Sequence, residues 1–356
     1  MSLWFDVYQE YGNQFQDELI KTESVDQSTI NQITYLISTW VTSGQARFGN
    51  IVRARIPSEC YLLIQEFYGL FENEAKFVLQ EDRGFSSSPM IDDFREELKE
   101  MHLPDGSAVD PIVLNMKNQP VTKITYDASE YNSAQSWLVM LHEVGHQLYN
   151  ENNLQSINPF WMDNKMVEVF IDLLVENIFG PSYALALAAY HRNYPVGGIT
   201  HPVEPARLYA LVTGTSAILN RANKNERYYK SIEKANTTLA KYWLKSKNQS
   251  LKEQADVKKK FPAINKAVLK YLPTMGIKTF DQFCSRYEKS ADRNDPPFEQ
   301  IEMMIREEIP VAVDPRILYA AISEFNPITP LLVCESLKRW YVRRNWKNLT
   351  AQKNMQ

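Results

Sequence analysis

Trp137-Leu-Val-Met-Leu-His142-Glu143-Val-Gly145-His146-Gln-Leu148 is the stretch on which the reading of this chain turns. His142 and His146 are four residues apart, so on a helix both imidazoles share one face and their nitrogens can meet at one point. Zinc accepts two such nitrogens in a tetrahedral site. Glu143 points beside that site and is placed to take a proton from metal-activated water. Gly145 lets another group approach the helix closely. The flanks are strongly apolar, where two unpaired imidazoles and a carboxylate are costly to bury without partners.

A working site needs a third protein ligand and an open position. Glu168, in Val167-Glu168-Val-Phe-Ile-Asp172, lies 22 residues after His146 on the next expected helix, 165–179. Asp172 is one turn later on the same face and could accept the outer N–H of a ligating histidine. Both acids interrupt an apolar helix, a poor place for idle carboxylates. Glu176 extends the stripe and is a reserve ligand. Two imidazoles and a carboxylate suit Zn2+, and they would also suit Fe, Co or Mn.

H-E-x-x-H followed by E-x-x-x-D resembles the gluzincins, the thermolysin-like zinc metallopeptidases, over about residues 111–210. The resemblance implies one zinc ion on His142, His146 and Glu168, Glu143 as general base, and Asp172 supporting a ligand histidine. The implied activity is zinc-dependent hydrolysis of a peptide or protein substrate. It also implies an antiparallel edge strand before the motif helix that binds extended peptide, and Val121-Thr-Lys-Ile-Thr-Tyr126 is in the right place. Val167 departs from the pattern, since many gluzincins carry Asn before the ligand Glu.

A tetrahedral intermediate also needs a donor near its oxyanion. His201, in Gly197-Gly198-Ile-Thr-His201-Pro202, is the most suggestive candidate for this catalytic role. Arg207 could bind a substrate carboxylate or carbonyl, and Tyr194 could donate from the same loop. His191 ends a helix, where an imidazolium suits the dipole. His102 is assigned nothing.

Working outward, residues 1–80 and 221–356 read as helical, with breaks at Pro262, Pro273 and later prolines. Ser86-Ser87-Ser88-Pro89 reads as a surface loop. Residues 111–116 and 121–126 read as two short strands, and helices are expected at 131–149, 182–191 and 206–220. The expected fold is α+β and mostly α: a zincin-like motif helix with a small antiparallel sheet, plus a helical C-terminal region. Its expected parts are an N-terminal helical region (1–105), a metal-site region (106–220) and a basic helical region (221–356).

The chain has 356 residues and a formal net charge of −4. That total excludes a protein basic throughout but hides an imbalance. Residues 1–220 hold 13 Lys+Arg and 28 Asp+Glu, a net of −15; residues 221–356 hold 26 and 15, a net of +11. Basic residues interleaved with aromatics, as in Lys338 to Lys347, could contact nucleic acid. No nucleic-acid motif accompanies them, so a solvated face, or one docked on the acidic half, is the favoured reading. An alternative function is a non-catalytic regulatory or nucleic-acid-binding protein with a structural or vestigial metal site. Three scattered cysteines without CxxC spacing fit a reducing compartment. With no apolar run near 18 residues and no leader pattern, the expected location is cytoplasmic, with no membrane partner.

Overall fold

In a computed structural model of the chain, the described residues are 2–21, 60–71, 76–82, 84–98, 121–130, 133–193, 200–289, 298–322 and 329–353, together with 26–35 apart from 29 and 33. Tyr194, His102 and the strand expected at 111–116 lie outside them. Two compact units are formed: residues 1–56 with 76–128, and residues 57–75 with 129–356. The units follow packing, whereas a partition at 105 and 220 follows composition, and the two do not coincide.

In the first unit, α1 (Ser2–Ile20) buries Tyr11, Phe15 and Leu19. The second unit contributes α2 (Cys60–Gly69) between the two stretches of the first. Then come β1 (Phe77–Asp82), β2 (Ser86–Pro89), α3 (Met90–Leu98) and β3 (Thr122–Asp127). The Tyr11 and Phe94 rings pack at 5.5 Å, joining α1 to α3.

The sheet corrects the expectation in two ways. Its strand order is β1-β3-β2, with β1 parallel to β3 and β2 antiparallel, so the sheet is mixed. β3, expected at an edge, is the central strand: both sides of its backbone ladder are already paired. Burial of five of its six residues fits that position. β1 falls where a helix was expected. β2 is a Ser-Ser-Ser-Pro segment with little strand propensity, held because Ser86 Oγ and Thr125 Oγ1 share a 2.7 Å hydrogen bond.

The second unit is helical. Its elements are α4 (Met140–Glu151), α5 (Asn164–Phe179), α6 (Pro181–Asn193), α7 (Glu204–Arg221), α8 (Tyr228–Ser246), α9 (Leu251–Tyr271), α10 (Phe280–Lys289), α11 (Phe298–Arg306), α12 (Pro315–Ile322) and α13 (Pro330–Lys353). The motif helix starts at Met140 rather than near 131, because a 3-10 turn at Ser136–Val139 precedes it. Pro262 sits inside α9 and does not break it; the residue is exposed, so its ring meets solvent rather than packed neighbours.

α5 is the central element, packed by α4, α6, α7 and α9. It is apolar nearly all round, the pattern of a buried helix, with Val169, Phe170, Ile171, Leu173, Leu174, Val175 and Ile178 inaccessible. Asp163 caps its start by accepting from the Lys165 amide at 3.2 Å. Gly180 ends it with φ 75°, a conformation favouring glycine, and a β-carbon there would strike the Phe280 ring.

α9 belongs to this core. It buries Val257, Phe261, Ile264 and Val268 against α5 and α7. Lys260 bonds Asp163 at 2.7 Å. Glu253 accepts from Lys165 Nζ at 2.8 Å and from the Val203 amide at 3.2 Å. Lys260 with Asp163 joins a base of the region after 220 to an acid before it, whereas Lys165 with Glu253 joins the two in the opposite sense.

Candidate metal centre

Helix α4 is thin at Gly145, where a β-carbon would lie 2.6 Å from Ile171 Cγ2. The missing side chain lets α5 come close, and that approach carries Glu168 up to the histidine face. His142 Nε2 lies 2.9 Å from Glu168 Oε2. His146 Nε2 lies 3.1 Å from His142 Nε2 and 3.2 Å from Glu168 Oε1. The rings meet edge-on, with centroids 4.7 Å apart.

This group could hold a metal ion: one donor atom from each of His142, His146 and Glu168 lies within 4.8 Å of the others. Ligands about 2.0–2.1 Å from a tetrahedral zinc stand about 3.3 Å apart, close to the spacings here. The chemistry also fits, with two neutral-capable imidazoles and one carboxylate. His142 and Glu168 are buried, while His146 is half-buried and gives the group a side toward solvent.

Behind the group lies a second cluster. Asp172 Oδ1 is 2.9 Å from His142 Nδ1, the arrangement expected for fixing a ligand's tautomer. Tyr183 of α6 donates to the same oxygen at 2.8 Å. Arg207 of α7 donates through Nε to Asp172 Oδ2 at 2.6 Å and through Nη2 to Oδ1 at 2.8 Å. Its Nη2 is also 3.2 Å from both His142 ring nitrogens and 3.7 Å from Glu168 Oε2. Arg207 was a candidate for substrate binding; it is only 3% exposed and forked onto Asp172.

The charges explain why such a cluster tolerates burial. Burial pushes the Asp172 carboxyl up, but Arg207 and His142 outweigh it and hold the group well below the usual range. Glu168 is likewise pushed up by burial and held far down by His142, His146 and Arg207. For His142, burial and Arg207 favour the neutral ring, yet Asp172 and Glu168 prevail and raise it to about 9. Two carboxylates face one guanidinium, and the excess negative charge favours a proton on His142. Burial keeps Tyr183 a neutral phenol, able to donate.

The remaining residues divide. Glu143 is half-buried beside His142 on α4, and its charge is felt at the His201 ring. His201 Nε2 stands 3.5 Å from Glu168 Oε2, and its Nδ1 is 2.9 Å from Thr200 Oγ1. Burial, first among several influences, lowers its pKa. Glu176 is not part of the metal group. It accepts from Thr215 at 2.5 Å and occupies the space left by Gly214. Burial raises its pKa well above the carboxylate range, so it is held neutral.

One neighbour, Tyr183, was missed in the sequence, and another, His191, was read differently. Tyr183 looked like part of an apolar helix, and no local signal set it apart. His191 is buried, with both ring nitrogens lacking a hydrogen-bond partner, and burial drives its pKa well below the usual value. It therefore stays neutral, and the helix-end charge expected of it does not form. Cys60, Cys284 and Cys334 are buried free thiols. Among the described residues no helix is long and apolar enough to cross a membrane. No protein-family model, curated protein or solved structure matches the chain.

Proposed function

We propose that the protein is a metal-dependent hydrolase of the gluzincin kind, acting on a peptide or protein substrate with Zn2+ as the resident ion. The observation that carries this reading is the convergence of His142, His146 and Glu168 with Asp172 behind His142, the same residues and order that the motif resemblance selects. An ion held there by His142, His146 and Glu168 would act as a Lewis acid and make water a nucleophile near neutral pH.

The chain's residues do the rest. Asp172, fixed by Arg207 and Tyr183, accepts from His142 Nδ1 and leaves Nε2 free to ligate. Glu143 takes the proton of the attacking water and passes it to the leaving amine. His201, kept neutral by burial, donates a hydrogen bond to the developing oxyanion. Peptide binding along β3 does not form part of the proposal, because that strand is already paired on both sides.

Metal analysis of wild type beside His142→Ala and Glu168→Ala tests the centre: wild type should carry one ion and the variants much less. Equal content in all three would sink it. Glu143→Gln should keep the ion and abolish hydrolysis, and a fully active variant would remove Glu143 from the mechanism.

A second reading, a closed structural site, is favoured by the 3.5 Å separation of His201 from Glu168, which offers a fourth ligand. His201→Ala separates the two. Lost turnover with metal retained supports the enzyme, and lost metal supports the closed site.

A further inference from the structure

The chain from Lys234 to Lys252 contains five lysines and no Asp or Glu. Four of them, Lys241, Lys245, Lys247 and Lys252, lie on the chain before, within and after the turn from α8 to α9, and all four are exposed. They form no ion pair among the described residues. The next acid along the chain, Glu253, is half-buried and already engaged by Lys165 and the Val203 amide. The corner's positive charge is therefore not neutralised within the fold.

Two leucines share this corner. Leu244 is 51% exposed and Leu251 is 67% exposed. A single exposed leucine is ordinary, but two within eight residues that also hold two exposed lysines are not explained by packing. The turn itself is built rather than loose. Gln254 Nε2 donates to the carbonyls of Lys247 at 2.8 Å and Gln249 at 2.5 Å, and Trp243 Nε1 donates to Gln254 Oε1 at 3.1 Å. Ser250 completes it with φ 51°.

Two anionic partners suit lysines, and the aromatic residues decide between them. Single-stranded nucleic acid stacks its bases on free aromatic faces. Here Trp243 packs against Tyr209 with centroids 5.7 Å apart, and Tyr242 lies under Arg192 at 5.5 Å. What the corner leaves exposed is aliphatic, which suits the headgroup–acyl boundary of a bilayer.

We propose that this corner seats the protein on an anionic membrane surface, with Leu244 and Leu251 entering the headgroup–acyl boundary and the four lysines meeting lipid phosphates. No spanning segment is needed for such a contact, so the expectation of no membrane partner, drawn from spans, does not bear on it. The contact is also independent of the metal centre.

Co-sedimentation of the full chain with vesicles tests it, using phosphatidylcholine alone and phosphatidylcholine mixed with phosphatidylserine. Wild type should be retained on the mixed vesicles only, and added salt should release it. Lys247→Gln with Lys252→Gln should weaken retention roughly 25-fold, at about five-fold per lysine. Leu244→Asn with Leu251→Asn should weaken it about ten-fold or more. Chelator-treated protein should be retained like untreated protein, so failure here is distinct from failure of the metal reading. No retention on the mixed vesicles, or equal retention on both kinds, overturns the proposal. So does a leucine variant retained as strongly as wild type, and binding of a labelled oligonucleotide through the same lysines would then make the corner a polyanion site.

Discussion

Asp172 Oδ1 sits 2.9 Å from His142 Nδ1 while Arg207 grips both oxygens of the same carboxylate. One buried acid thus joins His142 on α4 to a cation on α7. The orientation of His142 depends on a residue 65 positions away in sequence.

Asp172→Asn should lower metal affinity about 10–100-fold, the usual effect of losing a group behind a ligand histidine. It should also cost about 3–5 kcal/mol of stability, because Arg207 is left buried without its partner. Adding Arg207→Met should restore much of the stability and none of the affinity. Denaturant unfolding and metal titration of the single and double variants check this. Recovery of both quantities together would mean that Asp172 does not orient His142.

Gly145→Ala should destabilise by about 1–3 kcal/mol, since the new methyl meets Ile171 at 2.6 Å and overpacks the α4–α5 contact. Ile171→Ala removes the obstructing carbon and should make the double variant more stable than the sum of the single changes predicts. Additive losses would show that the close approach is not what constrains Gly145.

Glu176 gives a pH signature. Its folded pKa is raised above the ordinary 4.5, so the folded state holds a proton that the unfolded chain has lost. Its contribution to stability should therefore be greatest below 4.5 and fall as pH rises above it, by at most about 1.4 kcal/mol per pH unit, opposite in sign to the contributions of Asp172 and Glu168. Glu176→Gln removes this slope. Its gain in melting temperature over wild type should be larger at pH 8 than at pH 5. An equal gain at both would mean that Glu176 is not held neutral.

Glu253→Ala unfastens Lys165 and the Val203 amide together. About 0.5–1.5 kcal/mol of stability should be lost. Turnover should fall because the loop bearing His201 is released, while metal content stays at the wild-type level. Metal analysis beside a substrate assay checks both halves, and a loss of metal would place the effect on Glu168 instead.

The metal group was legible because helical periodicity is a local rule. The spacing of His142 and His146, and of Glu168 and Asp172, places each pair on one face without knowledge of the fold. The span of α5 was legible too, since Gly180-Pro181 marks its end. The sheet was only half legible. β3 is apolar and β-branched enough to show, but Ser86–Pro89 pairs because Thr125 reaches it across 39 residues, which no local pattern encodes. The commitment of Arg207 to Asp172 was hidden for the same reason. An arginine on a helix reads as surface until the helix crossing that buries it is known. Tyr183 was overlooked because it stands in an alanine-rich, apolar run, and His191 was read as a helix-end charge because its burial depends on the packing of other helices.

The tie from Glu253 to Lys165 and Val203 also sets an order of events during synthesis. Glu253 emerges 107 residues after His146. At ordinary rates of translation that is a delay of roughly five to twenty seconds. For most of it, once Glu168 has followed 22 residues behind His146, all three side chains exist without the helix that closes over α5 and α7. A nascent chain thus offers loose ligands before it offers a shaped site, and selection among ions falls to the finished protein.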